Sequence, residues 1–137
     1  VNGPSIASRG NHVTIAWFTV QDEQPQVKIA FSSDGGESFG LPIRIDEGKP
    51  LGRIDLLYLD EESVLVSWME DKGDYAEIKG LRMDDKGFLG ERFAITKTDA
   101  ARKSGFPIMK KYKDGVLVSW TRVDSITSVG TALLQFQ

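Results

Sequence analysis

Cysteine is absent from the 137 residues, which excludes disulfides, thiolate metal sites and a cysteine nucleophile. Histidine is nearly absent. A Ser-His-Asp set would depend on His12 alone, in a turn after Gly10-Asn11, and zinc would lack ligands. No apolar run nears the roughly 20 residues of a membrane-spanning helix. An excess of basic charge is missing too: the net charge is −3, which gives no general electrostatic grip on nucleic acid. The one basic cluster, Lys110-Lys111-Tyr112-Lys113, reads as an exposed hairpin. The chain opens on Val1 without a signal-peptide pattern, and we read it as a processed product or part of a longer chain. A cysteine-free composition agrees with a periplasmic or extracellular setting, and with a cytosolic one. What remains, 40% hydrophobic and 27% charged, is the composition of a folded, soluble domain.

Three tryptophans are present, Trp17, Trp68 and Trp120, and their numbers differ by 51 and 52. Each ends an alternating run: Val13-Thr14-Ile15-Ala16-Trp17, Val64-Leu65-Val66-Ser67-Trp68 and Val116-Leu117-Val118-Ser119-Trp120. Upstream of each, a short segment starts at a glycine: Gly3-Pro4-Ser5-Ile6, Gly52-Arg53-Ile54-Asp55 and Gly105-Phe106-Pro107-Ile108. A period near fifty with several short strands per unit predicts the blades of a β-propeller or a solenoid. Tryptophan at one recurring strand position predicts packing between blades, not a sugar-stacking platform.

Alternation and turn chemistry place strands near 4–8, 12–20, 26–32 and 41–45, with a polar loop at 21–25. The second unit repeats them near 54–59, 63–69, 75–83 and 91–96. The third has 106–112, 115–122 and 128–136 and no fourth strand. Asp99–Lys103 reads as a possible helical turn within a connection. The fold class is therefore all-β, with about three four-stranded antiparallel blades near 1–51, 52–103 and 104–137, the last incomplete. A sandwich of about eleven strands is the rival, but it has no need of the period. So few blades cannot close a ring and would expose apolar faces. We therefore expect association with a second copy or with an N-terminal half.

Ser32-Ser33-Asp34-Gly35-Gly36-Glu37-Ser38-Phe39 matches the Asp-box pattern S-x-D-x-G-x-(S/T)-(W/F) at every defined position. Met83-Asp84-Asp85-Lys86-Gly87 reads as a decayed copy, with Asp85 standing for Asp34 and Gly87 for Gly36. The pattern suits a tight hairpin. Asp34 accepts backbone N–H groups, Gly36 takes positive φ, and Phe39 packs between blade faces. One carboxylate in that role needs no calcium. On these residues the chain resembles the Asp-box (BNR-repeat) sialidase-like β-propeller superfamily over most of its length. The resemblance implies a propeller, six-bladed in most sialidases, with no cofactor. It also implies that the Asp boxes (here Ser32, Asp34, Gly36 and Phe39) are structural and lie on the rim opposite the active site.

A sialidase, by the same resemblance, needs an arginine triad for the substrate carboxylate, a Tyr nucleophile with a Glu partner, and an acidic general acid. A guanidinium matches a carboxylate in two bonds, and a Tyr needs a nearby base. The rim that would carry them holds the connections around 46–53, 99–104, 22–23, 70–75 and 122–124. It supplies Arg53, Arg102 and Arg122 as arginines and Tyr75 with Glu70 as the Tyr/Glu pair. Arg53 leads, because it follows Gly52 at the start of an innermost strand; its plainer role is an ion pair with Asp55. The expected function is a binding or interaction scaffold for glycans or a protein partner at the bacterial cell envelope. The alternative is part of an exo-sialidase-type glycoside hydrolase, completed by another half or copy. Convergence of the arginines and the Tyr/Glu pair in one pocket would separate the two.

Overall fold

The computed structural model describes residues 3–99, 105–123 and 125–136. Sheet 1 runs in the order β1 (Ser5–Arg9), β2 (His12–Gln21), β3 (Gln24–Ser32) and β4 (Ile43–Arg44). Sheet 2 holds β5 (Pro50–Tyr58), β6 (Val64–Asp71) and β7 (Ala76–Asp84), with β8 (Gly87–Phe88) and β9 (Phe93–Thr98) both paired to β7. Sheet 3 contains β10 (Gly105–Tyr112), β11 (Gly115–Val123) and β12 (Thr127–Gln135). All pairings are antiparallel, and each repeat of the sequence becomes one sheet. Among the described residues there is no helix, and so none long and apolar enough to cross a membrane. The helical turn expected at 99–103 falls, beyond Asp99, outside the described residues.

The alternating runs explain how the sheets stack. Successive side chains of a strand point to opposite faces. Val64, Val66 and Trp68 therefore face sheet 1, where they join Ala16, Val27, Ile29 and Ile45 in one apolar layer. Leu65 and Met69 face the other way and form a second layer with Val116, Val118 and Trp120 of sheet 3. Sheet 2 is thus covered on both sides, and β6 is buried from Val64 to Glu70. The first strands lie side by side, β1 against β5 and β5 against β10. Trp68 and Trp120 are core residues, as the repeat predicts. Trp17 is only half-buried, on the face of sheet 1 turned away from sheet 2.

Two turns differ from the sequence reading. The expected loop at 21–25 is a two-residue hairpin that pairs Gln21 with Gln24. Asp22 and Glu23 both take positive φ, 52° and 62°, which matches the right-handed twist of the flanking strands. Pro25 consequently lies inside β3, opposite Val20. In the decayed box it is Asp84 that ties the turn, accepting the N–H groups of Lys86 and Gly87 at 2.8 and 3.1 Å. Asp85 is exposed there and does not take the role of Asp34. The short hairpin so formed creates β8 and gives sheet 2 its fifth strand.

The polar residues of Ser32–Ser38 behave as their types require. Ser32 Oγ accepts the N–H of Gly36 at 2.9 Å and donates to Asp34 Oδ1 at 2.7 Å. Asp34 accepts the Ser38 N–H at 2.9 Å and the Ser38 hydroxyl on its other oxygen. Bonds from Ser38 and Ser32 lower the Asp34 pKa to about 2. Gly35 and Gly36 adopt φ of 73° and 88°, and Gly35 N–H donates to Asn11 O. That bond joins the β3–β4 turn to the β1–β2 turn on one rim. Phe39 differs from expectation: it packs between no two sheets and lies exposed over the open face of sheet 1 beside Ile6, Val13 and Ile15, because no sheet precedes this one among the described residues.

Candidate functional site

The opposite rim carries most of the buried charge. It is built where the connection from β4 to β5 meets the end of β6. Asp71 N–H donates to Lys49 O at 2.9 Å and locks the two segments together. Asp46 is buried, accepting Val27 N–H at 2.8 Å and a two-pronged contact from Arg44 at 3.0 and 2.8 Å. Burial pushes the Asp46 pKa up, but the Arg44 and Val27 bonds outweigh it and hold the group below the usual carboxylate range.

Glu70 is fully buried beside Trp68. Its Oε1 accepts the Glu47 N–H at 2.7 Å and the Trp68 indole N–H at 3.1 Å. Its Oε2 faces Lys72 at 3.4 Å and Lys79 at 4.0 Å. Lys79, itself buried, also reaches Glu47 at 3.0 Å, and this bond holds Glu47 below its ordinary pKa. Burial pulls Lys72 down, yet Glu70 and Glu77 raise it overall. The sequence reading missed Lys79, although a signal existed. A lysine follows the tryptophan by eleven residues in two units, and each pair is in register across the ladder, Trp17 with Lys28 and Trp68 with Lys79. In sheet 3 Gly130 stands opposite Trp120, and a Cβ there would meet the indole at 2.5 Å.

A second feature lies at the start of the first strands. Gly52-Arg53 and Gly105-Phe106 each place two consecutive residues at positive φ: 86° and 55°, then 88° and 54°. Both doublets coincide with breaks in strand register. A non-glycine residue in this region costs on the order of 1–3 kcal/mol and persists only where its surroundings enforce it. Here the two strained residues meet, with the Arg53 guanidinium 4.5 Å from the Phe106 ring centre. Arg53 also points a nitrogen at Met69 Sδ, 3.6 Å away. Arg53 stood out in the sequence by its charge, whereas its aromatic partner Phe106 was marked only by following Gly105 directly, as Arg53 follows Gly52.

The expected Arg53–Asp55 pairing gives way to separate engagements. Asp55 turns to sheet 3 and accepts the Met109 N–H at 2.6 Å. Burial raises its pKa against that bond, and Lys110 is the cation that acts on it. Tyr75 and Glu70 do not form the expected unit either. Glu70 faces sheet 1, whereas the Tyr75 ring lies beneath the Lys97 ammonium at 4.8 Å. Arg53 reaches Met69, whose side chain faces sheet 3, so the backbone of β6 stands between Arg53 and its neighbour Glu70. Arg122 reaches Val129 O at 3.4 Å within its own hairpin. Arg102 and Asp124 lie outside the described residues. A cleft of about 150 Å³ occupies the other rim, between His12, Phe31, Tyr58 and Asp84. Compared with known proteins, the chain matches no family model and no curated sequence.

Proposed function

We propose that this chain is a segment of a sialidase-like Asp-box β-propeller that acts as a binding scaffold, for glycans or a protein partner at the bacterial cell envelope. The observation that carries the scaffold reading is the dispersal of the candidate catalytic groups. Glu70 serves the seam between sheets 1 and 2, Asp55 the seam between sheets 2 and 3, and Tyr75 stacks with Lys97. A Tyr nucleophile needs its base within hydrogen-bond reach. The propeller reading is supported by first strands set side by side and by tryptophans that face the preceding sheet.

A second reading, as part of an exo-sialidase-type hydrolase, draws on Arg53, because backbone strain at a non-glycine residue gathers at functional sites. Incubation with a fluorogenic sialoside tests the choice. The scaffold reading predicts release no faster than in buffer, and glycan-array binding that weakens in Arg53→Ala. Turnover that is abolished by Tyr75→Phe or Arg53→Ala would replace it with the hydrolase reading.

A further inference from the structure

We infer that the open face of sheet 1 docks on the open face of sheet 3 of a second copy of this chain, through a seam built like the two inside it. The inference rests on the blade reading and carries it to a partner. Matched positions of the repeat show what each face lacks. Ile6, Leu56 and Met109 occupy one ladder position, opposite Ile15, Val66 and Val118. Leu56 is 6% exposed and Met109 3%, because a preceding sheet covers each, while Ile6 is 65% exposed. On the other side, Val27, Ile78 and Val129 are matched, opposite Phe18, Met69 and Thr121. Val27 and Ile78 are 0% exposed beneath a following sheet, and Val129 is 65% exposed.

The two open faces are therefore the two halves of a seam that the chain forms twice within itself. The tryptophan face of sheet 1 carries Val13, Ile15 and Trp17, as sheet 2 carries Val64, Val66 and Trp68. The back of sheet 3 offers Leu117, Val129 and Leu133. Clustered exposed apolar side chains of this kind mark an interaction surface. A head-to-tail contact uses both faces at once, whereas pairing two copies of one face would leave the other bare. One element is not repeated, since Ile108 stands where Asp55 bonds the next sheet.

Light scattering over a range of concentrations, with Ile6→Glu and Val129→Lys made separately, tests this. Wild type is expected at twice the 15.2 kDa chain mass or more, and each variant alone as a monomer with an unchanged circular dichroism spectrum. Mixing the two variants should restore association, because one junction is then unaltered and the introduced charges oppose at the other. Association lost in only one variant, or not restored on mixing, would overturn the inference. A wild-type monomer would overturn it too. If its X-ray scattering curve fits the three stacked sheets, the blade reading survives that failure; if the curve does not fit, both fall.

Discussion

Trp68→Ala is expected to destabilise the chain by about 3–5 kcal/mol, the range for removing a large buried aromatic side chain. The indole fills the layer between sheets 1 and 2 and is wholly buried among Ala16, Val27, Ile29 and Val66. Its loss leaves a cavity that three stiff strands cannot readily close. The change also strips Glu70 Oε1 of an N–H donor that lies 3.1 Å away. Trp17→Ala provides the contrast, because Trp17 occupies the matched position on the open face and is only half-buried. Urea denaturation of the two variants, under conditions where the chain is monomeric, should show the Trp68 loss at least twice that of Trp17. Equal losses would mean that the two layers do not differ as described.

Glu70→Ala is expected to cost about 2–3 kcal/mol, at or below the low end of values for breaking a buried charge pair. Removal orphans the Glu47 N–H and the Trp68 indole N–H, both now satisfied by Oε1, and an unmet buried donor costs about 1–3 kcal/mol. The charge imbalance is softened, since Lys79 keeps Glu47 and Lys72 keeps Glu77. Glu70→Gln retains an acceptor at Oε1 and loses the charge. It should therefore lie well short of the alanine variant in the same urea titration. If the two variants match, charge and not hydrogen bonding holds this rim together.

The repeat was readable because strand patterning depends on local alternation. Val64–Trp68 and its two counterparts fix both register and facing, and the strand positions followed within a few residues. The site was less readable, because its contacts join residues far apart in the chain. Asp55 finds Met109, Arg53 finds Phe106 and Glu70 finds Glu47 only once sheets stack. Proximity in sequence misled in two places. Glu70 and Tyr75 share a hairpin end, yet they turn to different neighbours. Asp84 and Asp85 are adjacent, and choosing between them required the turn geometry. The hairpin at Asp22-Glu23 escaped because glutamate seldom takes positive φ, so the pair carries no glycine signal.

Among the described residues the three sheets stack so that the middle one alone is covered on both faces. Residue-resolved amide hydrogen exchange tests it directly, since protection follows burial and the free energy of opening. Exchange should be slowest along Val64–Glu70 of β6 and faster at the matched Val116–Arg122 of β11, a central strand whose sheet is open on one face. Exchange in β6 as fast as in β11 would contradict the stack.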